Sequence, residues 1–188
     1  MTPELIVSIL LGIGLSASAG FRVFIPLLVA SIAARMGWLP LEHGFQWMSS
    51  FAAIVCFSTA TAVEIAAYYF PVVDNFLDTI TTPMAIGAGT LLATSVLPVD
   101  NDLLKWVLGI FIGGGSAGII QTGTALLRLA STKTTAGFGN PVISTAEHAA
   151  AFGTSLSAIF LPVIAGLAML ILLVFLSRKL ISFARPGK

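Results

Sequence analysis

Arg22 and Glu64 are the residues whose type and setting point most directly to chemistry, because each interrupts a stretch of otherwise apolar sequence. An ionisable side chain at membrane depth is costly and is expected to face a partner or a water-filled cavity. Arg22 stands 15 residues before Gly37, and Glu64 stands 15 residues after Ser49. On two helical spans joined by the loop between, both side chains would lie about 22 Å from that loop. Opposite charges at one depth on antiparallel neighbours are what a buried ion pair or a gated polar site requires. A purely structural salt bridge, or an Arg22 that snorkels along its stem, would use the same residues. The second half of the chain offers Gln121, Thr122 and Thr124 near the equivalent depth, so a charged site would be asymmetric.

Asp74 and Asp78 form a second candidate, two carboxylates at i and i+4 on one face of a helix. A cation, a shared proton or a basic partner would relieve their repulsion, and a surface helix with both acids in water needs none of these. In Gly137-Phe138-Gly139-Asn140-Pro141 the glycines and Asn140 suggest a re-entrant turn lining a cavity. Ser144 and Glu147 follow as a capping-box pair that would open the next helix. His43 and His148 read as solvated loop histidines. No phosphate loop or His-Glu-x-x-His motif occurs, and neither an enzyme, a cofactor nor a metal is expected.

The elements that would position these groups are legible in the composition. Hydrophobic residues make up 57% of 188 positions and charged residues 9%, against about 25% charged residues in an ordinary soluble domain. Residues 79–99, 106–127 and 149–177 contain no Asp, Glu, Lys or Arg. Each run reaches the roughly 20 residues that cross a bilayer as a helix; residues 51–70 add a span interrupted by Glu64. The expected fold is all-α, a polytopic transmembrane helical bundle in the cell's inner membrane. A net charge of +1 without a basic cluster disfavours nucleic acid as a partner. Membrane lipids, a small solute or ion and a second copy of the chain remain as candidate partners. Cys56, the only cysteine, is expected to be a small buried or lipid-facing residue.

Ala17-Ser18-Ala19 imitates a signal-peptidase site, but the only charge before it is Glu4, so the segment is expected to be retained. Residues 5–35 and 103–130 are long for one crossing, and each holds a small-residue cluster at its middle. Both are expected to be Gly-rich broken helices. Ser18-Ala19-Gly20 and Ser116-Ala117-Gly118 align at a spacing of 98 residues, which suggests an inverted repeat within one transmembrane domain over 1–188. Its parts would be repeat 1 at about 3–70, a connecting span at about 79–99 and repeat 2 at about 103–178. Arg178, Lys179, Arg185 and Lys188 follow the last span without an acid, which places the C-terminus in the cytoplasm.

Three groups of residues, taken together, carry a resemblance: Gly-Leu-Ser-Ala-Ser-Ala-Gly-Phe-Arg at 14–22; Glu64 with Tyr-Tyr-Phe-Pro at 68–71, Asp74, Asn75, Asp78 and Thr82-Pro83; and Gly139-Asn140-Pro141 with Ser144, Thr145 and Glu147. Over nearly its whole length the chain resembles a bacterial family of small membrane proteins described only as a domain of unknown function. The resemblance implies an integral membrane protein in which Arg22, Glu64, Asp74, Asp78, Asn140 and Glu147 match the family's pattern. It supplies no role for any of them. The functional expectation from the residues is a transporter or channel for a small solute or ion, with Arg22, Glu64, Asp74, Asp78, Gln121 and Asn140 as candidate binding groups. The alternative is a non-transporting membrane protein that binds lipid or scaffolds partner proteins.

Overall fold

The computed structural model describes residues 3–69 and 71–184, with side chains described at 3–69 and 80–182. Among these residues there is no strand; the chain is all-helical. Its helices are α1 (Pro3–Ala19), α2 (Phe24–Arg35), α3 (Phe51–Ala67), α4 (Pro71–Val96), α5 (Asp102–Thr135), α6 (Asn140–Phe160) and α7 (Pro162–Ala184). A short 3-10 turn at Gln46–Ser49 precedes α3.

Local chemistry sets most boundaries. Gly37, at φ +76°, ends α2 in a Schellman turn, with Trp38 N–H donating to Ala33 O at 2.9 Å and Gly37 N–H to Ala34 O at 3.1 Å. Ser50 caps α3 by accepting from Ala53 N–H at 3.1 Å, and Asn101 caps α5 by accepting from Leu104 N–H at 2.9 Å. Leu161 leaves helical geometry before Pro162, which cannot continue the α6 ladder and instead opens α7.

The core is built around α1, which is buried on every side from Leu10 to Ala19 and packs on α4, α5, α6 and α7. Small residues make this approach possible. A methyl added at Gly14 would lie 2.8 Å from Ala158 Cβ, and one at Gly166 2.6 Å from the Leu10 backbone. The expected break in residues 5–35 is present: α1 stops at Ala19 and α2 starts at Phe24.

The second expected break is not. Residues Asp102–Thr135 form one helix of 34 residues, in which Gly109–Gly114 is wound as π-helix. Glycine permits a break but does not compel one, and here it serves contact instead. Gly113 meets the Gly89 carbonyl of α4, and Gly109 meets Thr94, each too closely to admit a side chain. Residues 71–79 likewise do not form a separate surface helix but open α4, which runs on to Val96 with Pro83 inside it.

Large apolar side chains face outward. On α7, Ala165, Met169 and Leu173 form a buried stripe, whereas Ile164, Ile171 and Phe175 are exposed. Phe111 on α5 and Phe51 and Val63 on α3 are exposed as well. Two helices are long and apolar enough to cross a membrane, α5 and residues Pro162–Ser182 of α7. Cys56 is exposed on the apolar helix α3.

Candidate functional site

The break between α1 and α2 creates the site. Gly20 and Phe21 donate their amides back to Ala17 and Ser18, and the chain then turns through Arg22 and Val23 into α2. Only a glycine fits at position 20, since a Cβ there would stand 2.5 Å from both Ala117 O and Ile120 Cβ of α5. The first amides of α2 have no acceptor within their own helix. Glu64 of α3 supplies it: Val23 N–H donates to Oε1 at 2.8 Å and Phe24 N–H to Oε2 at 3.0 Å. A buried carboxylate therefore caps a buried helix start, where the helix dipole also favours negative charge.

This overturns the expected pairing of Arg22 with Glu64. Arg22 turns to α6, where its Nη2 lies 2.7 Å from Glu147 Oε2. The physical reason is the break itself, which frees two amides that claim both oxygens of Glu64. Arg128 of α5 joins from the other side, with Nε 3.4 Å from Glu147 Oε1. Both guanidinium groups lie over one aromatic ring: the Cζ of Arg22 is 3.5 Å and that of Arg128 4.9 Å from the centroid of Tyr68. Arg22 is 1% exposed, Arg128 2% and Tyr68 3%. The ring's negative face adds a further attraction for both guanidiniums.

Glu147 is also not the helix cap its sequence context suggests. α6 begins at Asn140, with Pro141 near its first position, so Ser144 and Glu147 lie inside the helix. They belong to a stripe of small and polar residues, Asn140, Ser144, Glu147, Ala151, Ser155 and Ala158, that faces the core. Ser155 donates to Ser18 Oγ at 2.9 Å across the α6–α1 contact, while Ser16 donates to Gly89 O at 2.8 Å.

The remaining candidates fall around this centre. Gln121 is buried and donates to Thr81 Oγ1 of α4 at 3.0 Å, and Asn140 donates to Thr132 Oγ1 at 3.1 Å. The segment before α6 is a tight turn rather than a re-entrant one. Ala136 and Gly137 take positive φ, and Phe138 is exposed. His148 is not a loop residue; it sits on α6 with its ring stacked on Tyr69 at 6.3 Å and edge-on to Tyr68 at 6.5 Å. His43 is exposed in the loop before α3. Asp74 and Asp78 lie on the first turns of α4, and their side chains are outside the described residues. Among the described residues no group of three His, Cys, Asp or Glu is placed to hold a metal.

Two members of the centre escape a reading of the sequence, Arg128 and the ring of Tyr68. Arg128 was findable, being the single charge between Lys105 and Lys133. What the assembled centre can do is hold one negative group between two guanidiniums, away from water.

A family model described as a domain of unknown function (DUF4126) matches residues 9–181. No curated protein and no solved structure matches the chain.

Proposed function

The chain belongs to this family of unknown function, and on that premise we propose that it is a multi-pass membrane protein that moves a small ion or polar solute. The polar centre of Arg22, Glu64, Tyr68, Arg128 and Glu147 would be its binding site. The observation that carries the reading is a cluster of four buried charges around a helix break, in a chain that exposes large apolar side chains on α3, α5 and α7. Charges at membrane depth cluster where ions or solutes pass, and irregular backbone at that depth is tolerated where protein or a cavity surrounds it. The exposed apolar faces of α3, α5 and α7 would then meet lipid. The chain would be a single transmembrane domain, with Arg178 and Lys179 holding its end in the cytoplasm.

An inverted repeat is part of the same reading. Its support is the packing of Gly20 against Ala117, which brings the two Ser-Ala-Gly clusters together. One repeat would carry a full break and the other a π turn.

Flux of radiolabelled sodium, rubidium and chloride into proteoliposomes tests transport. Protein-dependent uptake of one of them, altered in Glu147→Gln, is expected; liposomes as tight as protein-free ones for every ion would overturn it. The near-complete burial of Arg22 and Arg128 favours a second reading, a fixed lock between helices in a non-transporting protein that binds lipid or scaffolds partners. Single cysteines at residues 16–20 and 113–118 on a Cys56→Ala background separate the two, since only an opening centre is labelled by a membrane-impermeant thiol reagent.

A further inference from the structure

Among the described residues, several hydrogen-bond donors of the polar centre have no acceptor. Nε and Nη1 of Arg22 are buried without an acceptor, as is the hydroxyl of Ser144, a residue with no exposed surface. Nε2 of His148 is also buried and has no partner. Buried polar groups are nearly always bonded, so each such orphan asks for a reason.

Arg22 and Ser144 stand beside one carboxylate. Arg22 reaches Glu147 through Nη2, and the same Nη2 lies 3.5 Å from the carbonyl of Ser144. Ser144 stands one turn ahead of Glu147 on the buried stripe of α6, and His148 is its neighbour in sequence. Guanidinium nitrogens only donate, a hydroxyl donates one hydrogen, and Nε2 of His148 donates in the tautomer that protonates it. The chemistry left unmatched is thus that of an acceptor with several lone pairs and negative charge. Glu147 already occupies the place such a group would take, 2.7 Å from one arginine and 3.4 Å from the other.

Resting on the transport reading above, we propose that the centre is an anion site in which Glu147 is a built-in occupant, exchanged for a small monovalent anion such as chloride or formate between Arg22 and Arg128. The exchange places one negative charge where another was, so neither guanidinium is stranded without a counter-charge, which would be the costly outcome. The arriving anion accepts from Arg22 and from the Ser144 hydroxyl, using donors that the fixed carboxylate leaves idle.

The test is thermal unfolding of the purified full chain in neutral detergent, comparing Glu147→Ala in gluconate, chloride and formate. Chloride and formate should raise the Tm of the variant saturably, by at least about 4 °C over gluconate. The response should vanish when Arg22→Met is added. Equal melting in all three anions, or a response that follows sodium against choline instead, would overturn the site. If Glu147→Ala gives no folded protein, Glu147→Asp keeps the charge but withdraws it by one methylene. Its Tm should rise with chloride over gluconate by more than the parent's does, and an equal or smaller response would also overturn the site. Anion stabilisation without any flux would leave the site standing and remove the transport reading; flux of sodium or rubidium without an anion response would do the reverse.

Discussion

Arg22 and Glu147 meet at 2.7 Å with 1% and 5% of their side chains exposed, joining the break between α1 and α2 to the middle of α6. In a double-mutant cycle on unfolding, the Arg22→Met and Glu147→Leu pair should show a coupling of at least about 1.5 kcal/mol. The same cycle on Arg22 and Glu64 should give a clearly smaller coupling, since those two share no ion-pair contact. Equal couplings would mean that the partner has been misassigned.

Glu64 acts through its two oxygens on Val23 and Phe24. In Glu64→Gln one acceptor becomes an NH2 group facing a buried amide, at a cost of about 1–3 kcal/mol. Hydrogen exchange should locate the loss, with the Val23 and Phe24 amides opening about tenfold faster or more. Exchange that quickens evenly along α2 would instead point to general loosening.

Tyr68 offers its ring rather than its hydroxyl to the two arginines. Tyr68→Phe should therefore unfold within about 0.5 kcal/mol of the parent, and Tyr68→Leu should lose about 0.5–2 kcal/mol, the range of a desolvated cation–π contact. A Phe variant as weak as the Leu variant would count against the ring as the working part.

The glycines of α5 should separate by position. Gly113→Ala drives a methyl into the Gly89 carbonyl and Ala93 of α4 and should cost about 1–3 kcal/mol. At Gly115 the added methyl meets nothing within 4 Å, so Ala should be neutral or stabilise by about 0.5–1 kcal/mol, the backbone-entropy gain. Melting temperatures of the two variants decide it.

The contrast between Gly20 and Gly113 also shows what could be read from the sequence. Both lie in small-residue clusters, and both permit close approach. Only at Gly20 does an ionisable residue follow two positions later, and only there does the helix end. A cluster of glycines reports how near a neighbour comes, not whether the helix survives. The setting of Ser144 and Glu147 misleads differently. Their spacing fits a helix start, yet Pro141 starts α6 a turn earlier, so the pattern is true of the letters and irrelevant to the fold. The better signal was periodic, since Asn140, Ser144, Glu147, Ala151, Ser155 and Ala158 recur at steps of three and four and mark a buried face. That Arg22 and Glu64 are buried was legible from their rarity in apolar surroundings, whereas Glu147, read as a cap, was not placed with them. Which carboxylate takes the arginine and which takes the amides was not legible, because that depends on where the break leaves two N–H groups without partners.

The π turn at Gly109–Gly114 sets the aim of everything beyond it on α5. A π turn closes its hydrogen bond over one more residue than an α turn, so α5 accommodates a single surplus residue without rotating what lies on either side. Had that residue been absorbed as ordinary α-helix, everything beyond it, Gln121 and Arg128 included, would have swung by about 100° around the axis. Such a turn lets the helix carry one extra residue while its far end keeps its aim. Deleting one residue within 109–114 should therefore straighten the helix and still deliver Arg128 to Glu147.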